Sequence, residues 1–325
     1  MNLHRTAARA VAVTTAALLP LTLCACGSGQ DAADDGRVQV LTSFYPLQFV
    51  AEQVAGDLAD VENLTPQAAD PHDLELSPAR TRDISTADVV VTLHGFQPAV
   101  DEAIEARNPA HVVDAADVVT LLSAEVTGGE EDEHADDHGD EEHEDHEGLG
   151  GLDPHFWLDP TQLAKVAAPV ADALSAVDPE HAATYAANAS ALVDRLDALD
   201  AELAAGLAPF AGAELVTNHT AFGYLAHRYG LSQVGVTGLD HDTEASPARL
   251  REIGDIVRTH HVTTLFTESL ISPKMMDTLA SDLGVATAQL DTLEGLTADK
   301  AANGEDYVSI MRENLSTLTE GLNAK

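Results

Sequence analysis

Four short segments carry residues that could do chemistry. Asp70-Pro71-His72-Asp73-Leu74-Glu75-Leu76-Ser77-Pro78 places a histidine in a polar turn ahead of a helix. Asp153-Pro154-His155-Phe156-Trp157-Leu158-Asp159-Pro160 sets a second histidine near the chain's single tryptophan, in a turn bounded by prolines. In Thr217-Asn218-His219-Thr220-Ala221-Phe222-Gly223-Tyr224 a strand ends at a histidine and a helix begins. Leu290-Asp291-Thr292-Leu293 puts an aspartate at the carboxyl end of an apolar strand. Taken singly, each has an ordinary structural explanation; a lone histidine in a polar turn is usually a solvated surface group. As a set, three neutral imidazoles and one carboxylate supply a tetrahedral shell for Zn2+, a d10 ion with no geometric demand of its own. A shell closed on all sides by protein leaves no position to activate water, which favours holding an ion over catalysis.

These donors need a scaffold that gathers them. Short apolar runs alternate with amphipathic stretches: Val38 to Thr42 then Leu47 to Ala55, Val61 to Leu64 then Pro78 to Ser85, Val89 to Leu93 then Pro98 to Arg107. The alternation resumes from Leu215 and closes with a helix from Asp306 to Leu322. This is the pattern of parallel sheets covered by helices. It predicts an α/β fold of two lobes, each a parallel sheet flanked by helices, spanning residues 37–178 and 208–325. Between them, Tyr185, Leu192, Leu196, Leu199 and Leu203 recur at helical spacing, predicting one long rigid joining helix from Pro179 to Leu207, about 40 Å long, with Asp178 as its cap. Two shorter helices broken near Ala189 to Ala191 are the alternative. In open α/β sheets ligands bind outside the carboxyl ends of the strands. His72, His219 and Asp291 each follow a predicted strand and His155 lies in a turn before the long helices, so two donors from each lobe are expected in one cleft. His94, ending a strand, is expected to line that cleft behind the ligands, and Glu268 is a reserve ligand.

The amino terminus reads as an export signal. Arg5 and Arg9 precede an apolar run from Ala10 to Leu23, too short for a stable membrane span. The sequence Leu23-Cys24-Ala25-Cys26-Gly27-Ser28 resembles a bacterial lipobox, with Cys26 as the lipidated first residue of the mature chain after a signal of residues 1–26. Residues 27–36 then form a polar tether. Both cysteines fall at the processing site, so a metal site in the mature chain uses nitrogen and oxygen donors. With 16 basic against 55 acidic residues and a formal charge of -39, the chain repels phosphate backbones; nucleic acid is excluded as a partner and a cation favoured. The tract from Gly128 to Gly148 holds His134, His138, His143 and His146 among twelve acidic residues with no basic or aromatic residue. It cannot build a core; it is expected to be disordered and to bind metal weakly.

The Pro-His-x-x-Glu-x-Ser-Pro run at His72 and the Asp-Pro-His-x-Trp-Leu-Asp-Pro run at His155 resemble the zinc- and manganese-binding solute receptors of ATP-binding-cassette importers, the cluster A-I or ZnuA-like family. The resemblance extends from about Val38 to the carboxyl terminus. It implies that His72 and His155 are metal ligands and that His219 is the third, histidine there marking the zinc type and glutamate the manganese type. The family's fourth position is an aspartate commonly followed by Pro-Leu; here Asp291 is followed by Thr292-Leu293, leaving Asp291 or a water as the fourth ligand. The acidic histidine tract resembles an insertion in many zinc-specific members. The resemblance implies a lipid-anchored receptor on the outer face of the cell membrane, delivering Zn2+ to an importer permease and not an enzyme. A manganese or iron receptor of the same fold and an exported zinc hydrolase are the alternatives. Against the hydrolase, neither His-Glu-x-x-His nor His-x-x-Glu-His occurs in the chain.

Overall fold

The computed structural model describes residues 36–128, 149–239 and 245–322. The expected signal, Cys26, and the four histidines of the acidic tract lie outside the described residues.

The first lobe opens with β1 (Val38–Thr42), α1 (Tyr45–Ala55), β2 (Ala59–Asn63), α2 (Pro78–Ile84), β3 (Val89–Thr92), α3 (Pro98–Arg107) and β4 (Val112–Asp114). Its four strands are parallel in the order β2-β1-β3-β4, with Val40 opposite both Val61 and Val89. β3 is buried at every residue, as a parallel strand covered on both faces must be, which explains its run of Val89, Val90 and Val91. Short α4 (Ala124–Thr127) follows; then α5 (Pro160–Ala164) and α6 (Ala167–Val177) lead into α7 (Ala182–Leu207). The second lobe repeats the topology: β5 (Glu214–Thr217), α8 (Gly223–Tyr229), β6 (Ser232–Gly235), α9 (Pro247–His260), β7 (Thr264–Glu268), α10 (Lys274–Leu283) and β8 (Ala286–Leu290). Here too the strands are parallel, in the order β6-β5-β7-β8. The chain closes with α11 (Ala298–Ala302) and α12 (Tyr307–Gly321).

Several helices begin where local chemistry starts them. Ser77 and Ser246 accept hydrogen bonds from the backbone N–H groups of Arg80 and Arg249, each followed by proline in the first turn, and Asp306 forms a capping box with Ser309. α7 is continuous over 26 residues, without a break at Ala189 to Ala191. It buries Tyr185, Ala189, Leu192, Leu196, Leu199, Leu203 and Leu207, a stripe at the 3.6-residue period. This stripe packs on α1, α5 and α6 on one side and α8 and α12 on the other, so one apolar core runs through both lobes. Asp178 does not cap the helix: its carboxylate accepts a hydrogen bond from the Tyr185 hydroxyl (2.7 Å) and meets His181 Nδ1 at 2.6 Å instead. No helix among the described residues is long and apolar enough to cross a membrane.

Candidate metal-binding site

The carboxyl ends of the two sheets face a common cleft, and the loops beyond them carry the histidines. His72 lies in the connection after β2, His219 directly beyond β5, and His155 in the turn before α5. Their rings converge, with centroids 5.4 Å apart for His72 and His155, 5.3 Å for His155 and His219, and 6.2 Å for His72 and His219. The fourth member is Glu294, four residues past the end of β8. Its Oε1 sits 3.4, 3.2 and 3.6 Å from Nε2 of His72, His155 and His219. A tetrahedral ion with bonds of 2.0–2.1 Å to nitrogen and oxygen separates its ligand atoms by about 3.4 Å, so Oε1 stands at a corner of such a shell.

Each element of the site is oriented from behind. His155 Nδ1 meets Asp153 Oδ1 at 2.7 Å, and the same oxygen accepts from the His155 backbone N–H, locking ring and turn together. His219 Nδ1 lies 2.6 Å from Glu268 Oε2, while Glu268 Oε1 accepts from the His219 backbone N–H. A carboxylate on the far ring nitrogen sets the tautomer and points Nε2 at the cleft. His72 donates its backbone N–H to Asp70 Oδ1 and makes an edge-on contact with Phe96. It keeps 17% of its side chain exposed, whereas His155 and His219 are fully buried. Behind the His155 turn, Gly223 is required: a Cβ there would stand 2.3 Å from Thr127 Cβ and 2.9 Å from Asp153 Oδ2.

The electrostatics are those of a cation site. Burial is the largest single influence on His155 and on His219 and pushes both imidazoles down, but Asp153 and Glu294 for the first, and Glu268 and Glu294 for the second, outweigh it and raise them, His219 strongly. Burial pushes Glu294 up, and the three facing histidines more than reverse it, holding the carboxyl well below its ordinary range. Nε2 of His155 and Oε1 of Glu294 are buried without a hydrogen-bond partner, an arrangement that a bound cation relieves.

Asp291, expected as the fourth donor, stands outside this cluster. Its Oδ1 accepts from the Leu293 backbone N–H, its Oδ2 lies 3.2 Å from Lys300 Nζ, and its backbone pairs both ways with the Asn314 side chain. Those bonds turn the chain, with Leu293 at a φ of 60°, so that Glu294 rather than Asp291 enters the cleft. Glu268 lies behind His219 instead of in the shell, and His94 is exposed on the surface beside Asp101 rather than lining the cleft. The signal that could have found Glu294 is an acidic residue in the same loop, after a tight turn whose Asp291 is consumed by its own backbone.

Two parallel sheets facing one cleft, a long shared helix and a buried cluster of three histidines and a glutamate define a solute-receptor architecture built for a cation. The chain belongs to the family described as "Zinc-uptake complex component A periplasmic", whose profile matches residues 40–321. It is similar to the zinc-binding lipoprotein AdcA of Streptococcus pneumoniae, 35% identical over 95% of this chain; it spans 60% of that relative's length. It is also similar to the high-affinity zinc uptake system protein ZnuA of Bacillus subtilis, 32% identical over 96% of this chain and 97% of the relative. Among solved structures, the Zn(II)-bound ZnuA-like domain of Streptococcus pneumoniae AdcA superimposes with a TM-score of 0.71 at 32% identity, covering 88% of this chain and 99% of that one.

Proposed function

We propose that this chain is an extracytoplasmic receptor that binds Zn2+ through His72, His155, His219 and Glu294 and delivers it to an ATP-binding-cassette importer. The observation that carries this reading is the Glu294 carboxylate set at tetrahedral-edge distance from three imidazole Nε2 atoms. Four protein donors fill a four-coordinate shell, leaving no position for an activated water, so the site holds its ion as cargo and does not hydrolyse a substrate. Three nitrogens and one oxygen suit zinc better than the harder manganese ion, which prefers more carboxylate. The relatives' names, zinc-binding lipoprotein and zinc uptake protein, support the same reading. Lipidation at Cys26 would keep the receptor at the outer face of the membrane beside its permease. Elemental analysis of protein recovered from its native compartment is expected to find zinc in the site. Stoichiometric manganese or iron there would overturn the assignment.

A further inference from the structure

Two residues before Glu294, on the same loop, stands Thr292. Here the Thr292 hydroxyl donates to Glu294 Oε2 at 2.9 Å, and both residues are 1% exposed. The Thr292 carbonyl in turn accepts from Trp157 Nε1 at 2.8 Å, so the threonine is fixed by the turn that carries His155. The two oxygens of Glu294 therefore have separate partners: Oε2 takes the hydroxyl, and Oε1 faces the three Nε2 atoms.

We propose that Thr292 is a positioning residue that sets metal selectivity by holding Glu294 to one-oxygen coordination. This rests on the zinc-receptor reading above. An ionised carboxylate can offer one oxygen or both to a cation. One oxygen with three imidazoles makes four donors, the number zinc takes in closed sites. Both oxygens would make five, opening the shell to ions that prefer more oxygen and higher coordination, such as Mn2+. To bring Oε2 onto the ion as well, the carboxylate must tilt so that Oε2 leaves the place where it accepts the Thr292 hydroxyl, which strains that buried bond. The fixed Trp157–Thr292 contact keeps the hydroxyl from following. A hydrogen bond to a charged buried group is strong enough to shift a metal preference by about tenfold.

Co2+ tests this, because four-coordinate Co2+ shows intense visible d–d bands and five- or six-coordinate Co2+ weak ones. The full chain is titrated with its first equivalent of Co2+, and Zn2+ and Mn2+ affinities are measured by competition, for the unsubstituted protein, Thr292→Val and Thr292→Ser. Intense bands are expected for the unsubstituted protein and for Thr292→Ser, which keeps the hydroxyl. Thr292→Val is expected to show weakened bands and a zinc-over-manganese preference reduced by about tenfold. Bands and preference unchanged in Thr292→Val would overturn the positioning role while leaving the zinc site intact. Failure of the unsubstituted protein to bind Co2+ or Zn2+ tightly would overturn the zinc-receptor reading and this inference with it. Should Thr292→Val not fold, X-ray absorption of the unsubstituted protein with one equivalent of Zn2+ decides: four nitrogen and oxygen neighbours near 2.0 Å support the proposal, and a fifth oxygen neighbour overturns it.

Discussion

At Glu294 a buried carboxylate faces three imidazoles, and its removal would leave the proposed zinc shell short of its one anionic donor. Glu294→Gln is therefore expected to weaken zinc binding by more than about 100-fold, whereas Asp291→Asn, which disturbs only the loop behind it, should cost about tenfold or less. Competition titration of both variants checks the order; a larger loss from Asp291→Asn would make Asp291 the ligand. Protons compete with the ion for the same nitrogens. Because His155 and His219 are raised above the ordinary imidazole value of 6.5, they keep protons at higher pH than free histidine, so zinc must displace them and its affinity falls as pH drops from above 6.5 downward. Three ordinary imidazoles would release about 0.3 protons at pH 7.5. We expect a release per zinc above that figure, measured by calorimetry in buffers of different ionisation enthalpy; a release of about 0.3 or less would contradict the raised imidazoles. The three histidines were legible in the sequence because each sits in a rigid, polar or proline-bounded segment at the end of an element. Glu294 was not, because a strand pattern points to the first carboxylate past the strand. What moves Asp291 aside is an Asx turn through Leu293 at positive φ, a conformation that no side-chain pattern around a non-glycine residue announces.

The strands and the long helix were legible for a different reason: most strands are short apolar runs that recur between helical stretches, and the long helix repeats its apolar period over 26 residues, so neither depends on one residue. β4, α5 and α6 were not drawn as elements: a three-residue strand and a five-residue helix leave too few repeats to show a period, and α6, 11 residues long, is mostly alanine and valine with little contrast between its faces. α7 is the element on which both lobes depend. Leu196 is fully buried in its stripe, and Leu196→Ala is expected to destabilise the protein by about 2–5 kcal/mol, read by denaturant unfolding at unchanged zinc stoichiometry. A change below about 1 kcal/mol would mean that the stripe does not carry the core. The lobes are also pinned beside the cleft. The Tyr307 hydroxyl donates to the Trp157 carbonyl (2.5 Å), Trp157 Nε1 to the Thr292 carbonyl, and the Tyr224 hydroxyl to the Asp153 carbonyl. With the His155 turn bonded to the second lobe, a wide hinge opening would break all three. The His72 segment, where the side chain keeps 17% exposure, is the element expected to respond to the ion. Hydrogen exchange is expected to slow on zinc binding around residues 66–77 much more than in α7, and the radius of gyration to change little. A large fall in radius of gyration on adding zinc would show that the lobes close as rigid bodies.

Over the whole molecule, the charge and the histidine tract bear on how zinc reaches the cleft. A chain with 55 acidic and 16 basic residues draws cations to its surface, and the tract from Gly128 to Gly148 concentrates that field beside four histidines. By composition the tract offers no aromatic residue around which to build a core that would preorganise its ligands, so it is expected to bind further zinc more weakly than the cleft. Whether tight binding belongs to the cleft is decided by calorimetric zinc titration of two variants side by side: one lacking residues 129–148 and one carrying His155→Ala. The deletion is expected to keep one tight site and lose the weak ones, and His155→Ala to lose the tight site and keep the weak. Tight binding abolished by the deletion and preserved in His155→Ala would place the principal site in the tract instead of the cleft.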